Sequence, residues 1–195
     1  MFNKSTYIIK EHVSFMKLTD RYDIIDPESG QVVANVAENL SGWKKYLRLL
    51  VKKALLPTTV EVKDLNGNVL YSIKKSPTFL RAKVTMHTAD GSELGFMRSR
   101  ILSIGGAFDV FRDEQTKVAE IKGKWTGWDF NYTDTNGNQL GQITKQWAGI
   151  GKELFTNADT YIITVDPSIA GNEQMVALLI LGGLAVDVVF KEQQG

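Results

Sequence analysis

The chain has 195 residues, of which 43% are hydrophobic, 23% charged and 10% aromatic, and its formal net charge is +1. This composition is typical of a globular protein with a sizeable core, and the near-zero charge gives no general attraction to nucleic acid, so no nucleic-acid partner is expected. The absence of cysteine excludes disulfides, thiolate metal sites, a cysteine nucleophile and S-acylation. Because the first residues contain no apolar signal segment, a cytoplasmic location is expected.

A unit of strand, tight turn and strand recurs along the chain from Tyr22 to Ile143. Apolar and polar residues alternate along many of the flanking segments, as expected for strands with one buried face. With further strands at Tyr7–Lys10 and Tyr161–Val165, the chain is predicted to be an antiparallel meander of roughly ten or more strands. Three turns carry the strongest short-range hairpin signal, Asn-Gly or Asp-Gly, at Asn66-Gly67, Asp90-Gly91 and Asn136-Gly137.

A meander of that length has to hide its edges, because an exposed strand edge pairs readily with another chain. Closure into a barrel removes the edges, but a barrel with many more than about eight strands has an interior too wide for its own side chains to fill. A helix of ~10 Å diameter is a suitable filling. The sequence therefore predicts a mainly β fold in one domain over residues 1–195, a closed antiparallel barrel around a helix.

One segment interrupts the strand pattern with helical spacing. It begins at Ser41, a typical N-cap residue, and closes before Pro57, which predicts an amphipathic helix near residues 41–56. Because it carries five basic residues and no acid, it is typical of a helix at a membrane surface or a partner-binding site, and the alternative is a helix that covers a barrel mouth with its basic face in solvent. The predicted contacts with an anionic phospholipid membrane surface are Trp43, Lys44, Lys45, Arg48, Lys52 and Lys53.

The most apolar segment is Gln174–Lys191, near the end of the chain. Its uninterrupted apolar run, Met175 to Val186, has about 12 residues and spans roughly 18 Å as a helix, whereas a bilayer core of ~30 Å needs about 20 residues. Asp187 would also lie in hydrocarbon if the segment crossed a membrane, at a cost of ~2.5–3.5 kcal/mol. These values favour a buried central helix over the two alternatives, a membrane-inserted helix and a buried pair of strands.

Three short motifs lie in the last third of the chain. GQITKQWAG runs from Gly141 to Gly149, KELFTNAD covers Lys152–Asp159, and LAVDVVF covers Leu184–Phe190. They resemble the G-x-I-x-K-x-W-x-G, E-x-F-T-D-A-D and L-I-D-x-x-x-F-E patterns of the phospholipid scramblase family. The hairpin repeat fits the same superfamily, which includes LURP-one-related and tubby-like proteins. The resemblance implies a barrel of about 12 strands around a buried C-terminal helix.

The same resemblance implies a calcium-binding segment, which in the scramblase family begins D-A-D-x-F-G. Here the stretch from Asn157 to Ile162 reads N-A-D-T-Y-I, so an amide replaces the first acid and isoleucine replaces the glycine. A calcium loop needs several carboxylates and a glycine for its sharp turn. Asp159 and Asp166 are therefore weak candidates for calcium ligands, a loop followed by a strand is favoured, and no other cofactor is predicted.

No familiar catalytic constellation is present in the sequence, which has two histidines and no H-E-x-x-H, G-x-S-x-G or P-loop motif. His87 is interpreted as a solvated strand residue. Aromatic residues such as Trp125 and Trp128 are expected in core or cross-strand pairs rather than in a ligand pocket. The sequence thus predicts a non-enzymatic, scramblase-related barrel that binds phospholipid or associates with the inner membrane face. The alternative is a soluble scaffold that binds a protein partner or a small ligand and has no lipid activity.

Overall fold

The structure is a computed structural model that describes residues 2–12, 21–39, 55–77, 81–101, 106–145 and 160–194, with side chains as far as Phe190. In this described part, twelve antiparallel strands form a closed barrel and one long α-helix follows them. The strands are β1 (Thr6–Glu11), β2 (Arg21–Ile25), β3 (Val32–Glu38), β4 (Thr58–Lys63), β5 (Val69–Lys75), β6 (Lys83–Thr88), β7 (Glu93–Ser99), β8 (Ala107–Phe111), β9 (Lys117–Lys124), β10 (Asp129–Thr133), β11 (Gln139–Thr144) and β12 (Thr160–Val165). The helix is α1 (Glu173–Gln194), and two short 3-10 helices cover Trp125–Gly127 and Pro167–Ile169.

Closure of the barrel follows directly from the meander. Each strand pairs with its neighbours in the chain, and β1 pairs with β12 across a seam in which Ile9 lies opposite Tyr161. The predicted fold class, a closed antiparallel barrel of about 12 strands around a C-terminal helix, is confirmed. The predicted recurring unit of strand, turn and strand is present as five hairpins, with turns after β2, β4, β6, β8 and β10.

The β4–β5 and β10–β11 hairpins share the sequence Asp-x-Asn-Gly-Asn and the same turn geometry. In the first, Asp64 Oδ1 accepts the backbone N–H groups of Asn66 and Asn68 at 2.9 and 2.8 Å. The equivalent two bonds to Asp134 are both 2.8 Å. Gly67 has φ of 88°, in the left-handed region that residues with a Cβ adopt at a steric cost. Local turn chemistry therefore sets the register of both hairpins.

Helix α1 fills the barrel. It begins close to the end of β12, and every residue from Val176 to Val189 is buried. By length and composition the stretch Glu173–Phe190 is able to cross a membrane, but 78% of it is buried inside the barrel. Asp187 is itself only 4% exposed. The prediction of a buried central helix is confirmed.

The wall and the helix are joined where they come closest. The Tyr132 hydroxyl, on β10, donates a hydrogen bond to the Leu179 carbonyl at 2.9 Å. A Cβ at Gly183 would lie 2.5 Å from Ile163 Cδ1 and 2.7 Å from Tyr132 Oη, distances far inside van der Waals contact. Glycine at this position therefore permits the helix to approach β10 and β12.

The two ends of the barrel differ in their connections. The tight turns after β2, β4, β6, β8 and β10 lie at one end together with the start of α1, and we call this the tight-turn end. The longer segments after β1, β3, β5, β7 and β11 join strand ends at the other end, which also holds the short connection after β9 and the last turns of α1, and we call this the long-loop end. The predicted amphipathic helix near residues 41–56 belongs to the segment after β3, of which residues 40–54 are outside the described part.

Candidate functional site: the long-loop end of the barrel

The charged residues of the connecting segments are divided between the two ends. The segments at the tight-turn end, including residues 2–5 and 166–172, carry eight acids and two bases, a net charge of −6. The segments at the long-loop end carry ten bases and three acids, a net charge of +7. The overall charge of +1 therefore conceals a strong polarity along the barrel axis.

The acids at the tight-turn end have a structural role. They are Asp26, Glu28, Asp64, Asp90, Asp113, Glu114, Asp134 and Asp166. Six of the eight accept a backbone N–H two residues further along the chain, which is the usual role of aspartate in turns. The hydrogen bond from the Asn138 side chain lowers the pKa of Asp134, and the side chain of Asn68 does the same for Asp64. These carboxylates therefore remain ionised at neutral pH.

The bases in the segments that join strands at the long-loop end are ten in number. They are Lys17, Lys44, Lys45, Arg48, Lys52, Lys53, Arg81, Arg100, Lys145 and Lys152. Of these, the structure describes Arg81, Arg100 and Lys145. Leu55 and Ile101 add exposed apolar surface at the same end, with 39% and 56% of their area exposed. Exposed cations beside exposed aliphatic side chains are the composition that favours a lipid surface.

A cavity of about 460 Å³ lies beside the ends of β6 and β7, lined by Arg81, Arg100, Ile101 and Asp109. Arg100 contributes bonds of 2.5 Å to Asp109 and 2.6 Å to Glu120. Within the described residues, Arg81 has no ion-pair partner and is exposed. The cavity thus combines one anchored guanidinium, one exposed guanidinium and an exposed isoleucine.

Arg100 belongs to an ion network on the outer wall. Lys117 lies 2.7 Å from Asp109 and 2.5 Å from Glu120, and Lys122 also bonds to Glu120. Hydrogen bonds from Lys117 and Lys122 outweigh burial and lower the pKa of Glu120 to about 2. Burial opposes ionisation of Asp109, but the bonds from Arg100 and Lys117 still hold its pKa below the usual value. Both carboxylates are therefore ionised and neutralised by their neighbours at neutral pH.

A second group of cations lies on the same wall. Phe96 and Phe111 stack with centroids 4.9 Å apart, and Lys83 Nζ lies 4.2 Å from the Phe96 ring centre. Glu114 bridges Lys83 and Arg98 at 2.6 and 3.1 Å. Together with the network around Arg100, the outer wall from β6 to β9 presents more cations than acids. In these two networks three acids, Asp109, Glu114 and Glu120, bind five cations, which are Lys83, Arg98, Arg100, Lys117 and Lys122.

An aromatic cluster closes the long-loop end around α1. Trp125 stacks on Phe190 of the helix with centroids 4.6 Å apart, and Trp128 packs edge-on against Phe190 at 4.9 Å. Trp128 has φ of 47° and ψ of 51°, an unusual conformation for a tryptophan. A Cβ at Gly106 would lie 2.5 Å from the Trp125 ring, so glycine makes this packing possible. The expected core role of Trp125 and Trp128 agrees with their packing.

Polar atoms lie buried within this cluster. Among the described residues of this cluster, Trp128 Nε1 and Tyr161 Oη are buried without a hydrogen-bond partner. Burial, with a further contribution from the nearby Asp187, raises the pKa of Tyr161 well above its usual value. Tyr161 is therefore a neutral hydroxyl at physiological pH. Buried groups of this kind take up ordered water or a polar ligand group.

The structure places the predicted site residues as follows. Trp43, Lys44, Lys45, Arg48, Lys52, Lys53 and Asp159 lie outside the described residues. Asp166 lies at the tight-turn end, where its side chain accepts the N–H of Ser168 at 2.8 Å and starts a 3-10 turn. Thr160, which follows Asp159, begins the other end of β12, roughly 20 Å away at ~3.3 Å per residue. In the part of the chain that the structure describes, no cluster of three His, Asp or Glu side chains is suited to a metal.

Two features differ from the sequence-based interpretation. His87 is half-buried rather than solvated, and its Nδ1 is shielded without a hydrogen-bond partner. Burial lowers the pKa of His87, so the imidazole is neutral at physiological pH. The sequence analysis also missed Arg81 and Arg100, which are 19 positions apart in the chain. Their only local signal is that each adjoins a segment between two predicted strands, and their convergence depends on the pairing of β6 with β7.

Comparison with known proteins gives one family, one sequence relative and one structural neighbour. The sequence model of the Scramblase family matches residues 10–193. The Saccharomyces cerevisiae protein "Altered inheritance rate of mitochondria protein 25" is 23% identical over 203 residues, covering 85% of this chain and 60% of its own length. This chain thus spans about three fifths of that relative. An Arabidopsis thaliana protein of known X-ray structure is 12% identical, with a TM-score of 0.49 over 92% of this chain and 91% of that chain.

Proposed function

The chain belongs to the Scramblase family, and we propose that it is a phospholipid-binding barrel that associates with an anionic membrane surface through its long-loop end. The observation that carries this proposal is the division of charge, −6 in the segments at one end and +7 at the other. It acts by binding lipid and not by catalysis. The location is the cytoplasm, peripheral at the inner membrane face, because the cytoplasmic leaflet carries the anionic lipids.

The separation of charge between the two ends affects membrane binding because salt screens each charge over a short distance. Strands of five to eight residues give a barrel roughly 20 Å long at ~3.3 Å per residue. At physiological ionic strength the Debye length is ~8 Å, so a membrane in contact with one end interacts only weakly with charges at the other. Each base close to an anionic leaflet contributes ~1 kcal/mol. A barrel with a net charge of only +1 can therefore bind an anionic surface in one orientation.

The proposed lipid contacts include the basic segment between β3 and β4. Trp43 and the five bases Lys44, Lys45, Arg48, Lys52 and Lys53 belong to a segment whose flanking residues, Asn39 and Leu55, lie at the long-loop end. The proposal concerns lipid binding and does not extend to lipid translocation. The reason is that α1 is covered by the barrel wall and offers its apolar surface to the core.

Vesicle co-sedimentation tests this proposal. We expect the wild type to bind vesicles of phosphatidylcholine with phosphatidylserine, to ignore phosphatidylcholine alone, and to bind less as salt is raised. Changing Lys44, Lys45, Arg48, Lys52 and Lys53 together to Glu abolishes the binding. The double variant Lys52→Glu/Lys53→Glu weakens vesicle binding. Its matched control, Lys63→Glu/Arg112→Glu, changes the charge by the same amount at the tight-turn end and leaves vesicle binding unchanged. If the variant with all five substitutions binds vesicles as well as the wild type does, the proposal is refuted.

A second candidate function is a scaffold that binds a protein or a small ligand. The observation that favours it is the pair of buried, unpartnered polar atoms beside α1, on Trp128 and Tyr161. A small ligand with a hydroxyl or carbonyl group would satisfy them. A chain that ignores all vesicles and co-purifies with one small molecule, released on unfolding, would support this function in place of lipid binding.

A further inference from the structure

Exposed charges are divided between the two halves of the barrel. Among the described residues, fourteen charged side chains are exposed, seven acids and seven bases, with histidine left out. The tight-turn half has six of these acids, Glu28, Asp90, Glu93, Asp113, Glu114 and Glu173, and one of these bases, Arg112. The long-loop half has the other six bases, Arg21, Lys74, Arg81, Lys122, Lys124 and Lys145, and the other acid, Asp129. The exposed charges of the two halves are therefore −5 and +5.

Exposed aliphatic side chains also lie at both ends. Leu65, in the turn after β4, and Val69, the first residue of β5, are 65% and 36% exposed at the tight-turn end. Leu55 and Ile101 are exposed at the long-loop end. These four are the exposed large hydrophobic side chains of the described residues, and each adjoins the end of a strand. Apolar groups beside charges are typical of surfaces that contact another macromolecule.

We propose that the tight-turn end of one copy of this chain binds the long-loop end of a second copy. A second copy is the partner that fits, because surfaces of equal and opposite exposed charge, −5 and +5, are present on the same molecule. A symmetric dimer is excluded, since a two-fold axis would place two ends of the same charge in contact. The inference goes beyond the proposed function and does not rest on it.

The head-to-tail contact has two consequences. Each pair retains one free acidic end and one free basic end, so further copies add and the product is an open chain, not a closed dimer. Because salt screens contacts between exposed charges, the chains form at low ionic strength and dissociate at high ionic strength. A membrane in contact with the long-loop end would take the place of the next copy.

Analytical ultracentrifugation of the wild type is the first test. At ~0.02 M salt we expect the average mass to rise continuously with protein concentration and to pass the mass of two chains. At ~0.5 M salt, where the Debye length is only a few ångströms, we expect a monomer. A wild type that remains monomeric at the lower salt concentration, or that stops at a dimer, would overturn the inference.

Two double variants test the two ends separately. Glu28→Lys/Glu93→Lys changes the exposed charge of the tight-turn half from −5 to −1, and Arg81→Glu/Lys124→Glu changes that of the long-loop half from +5 to +1. Circular dichroism and thermal unfolding confirm that both are folded. Each variant alone is expected to associate about thirtyfold more weakly than the wild type, the effect of losing two charge contacts in water.

An equimolar mixture of the two double variants provides the sharper test. The unchanged basic end of the first can bind the unchanged acidic end of the second, so the mixture is expected to form pairs and to grow no further. The matched control combines all four substitutions in one chain. Its net charge remains +1, but the polarity is almost abolished, so it is expected to stay monomeric. A mixture that stays monomeric, or a control that associates like the wild type, contradicts head-to-tail binding.

Vesicle co-sedimentation distinguishes this inference from the proposed function. A wild type that binds vesicles of phosphatidylcholine with phosphatidylserine, but is monomeric at ~0.02 M salt without them, overturns the head-to-tail contact alone. A wild type that forms chains and binds no vesicles overturns the proposed function alone. If both hold, vesicles are expected to disperse the chains, because the membrane and the next copy compete for one end.

Discussion

At the scale of single residues, the packing of α1 against the wall depends on one glycine of a pair. Gly182 and Gly183 are adjacent in the helix, yet their surroundings differ. A Cβ at Gly182 would make an ordinary contact of 3.5 Å with Ile121 Cδ1. A Cβ at Gly183 would instead lie 2.5 Å from Ile163 and 2.7 Å from the Tyr132 hydroxyl that bonds to the helix. The two adjacent glycines therefore have different roles: close packing requires the absence of a side chain at Gly183 but not at Gly182.

We expect Gly183→Ala to destabilise the protein by about 1–3 kcal/mol, the usual effect of overpacking a tight core. Gly182→Ala is the matched control. It is expected to be neutral or to stabilise by up to about 1 kcal/mol, because alanine is the better helix former and the added methyl group fits. Urea unfolding of both variants measures the difference. Equal stability of the two would mean that the helix does not approach β12 as closely as described.

At the scale of secondary-structure elements, charges on adjacent strands tie part of the wall together. Glu120 of β9 bonds to Arg100, which follows β7, and to Lys117 and Lys122 of its own strand. These bonds lower the pKa of Glu120 from 4.5 to about 2. A carboxylate whose pKa is lower in the folded state than in the unfolded state stabilises the folded state at pH values above its unfolded-state pKa. That contribution is lost as the pH falls from 4.5 towards about 2.

We therefore expect Glu120→Gln to be less stable than the wild type at pH 7 and to lose less stability between pH 5 and pH 2. Urea unfolding at a series of pH values provides the comparison. Glu93→Gln is the control, since Glu93 is exposed and forms no ion pair among the described residues. A wild type and a Glu120→Gln variant with parallel pH profiles would show that the network contributes nothing to stability.

At the scale of the whole molecule, the polarity of charge makes the barrel an oriented particle. Most of the acids at the tight-turn end accept backbone N–H groups in turns. The two ends are roughly 20 Å apart, between the Debye lengths of ~8 Å at 0.15 M and ~30 Å at 0.01 M salt. In the proposed end-on orientation, the acidic end would therefore oppose membrane binding only when the salt concentration is low.

The proposed end-on orientation predicts how vesicle binding depends on the salt concentration. The double variant Glu28→Gln/Glu93→Gln removes two exposed acids at the tight-turn end. It should bind anionic vesicles more tightly than the wild type at ~0.01 M salt and equally well at ~0.15 M, because screening hides the far end only at the higher concentration. Co-sedimentation at both concentrations measures this. A gain that is the same at both would contradict an end-on orientation.

Much of the fold was predictable because it rests on local chemistry. The Asn-Gly and Asp-Gly turns at Gly67, Gly91 and Gly137 all have positive φ, which only a glycine adopts without cost, so the hairpins were visible in the sequence. The length of the apolar run, together with the need to fill a wide barrel, identified α1 as a buried helix. The sequence also showed that residues 41–56 are basic, but contact between this segment and lipid remains a prediction.

The turns, the meander and the filling of the barrel could be derived from the sequence, since each depends on residues close together in the chain or on the total number of strands. The residues that converge at each end could be identified only from the folded barrel. The β6–β7 hairpin, whose turn is visible in the sequence, brings Arg81 and Arg100 together, but Asp109 joins them only because β8 pairs with β7, and no local pattern encodes that second pairing. No local pattern predicts the left-handed backbone conformation of Trp128 or the different surroundings of Gly182 and Gly183 either. The segregation of charge was hidden in a net value of +1 until closure of the barrel assigned every connection to one end or the other.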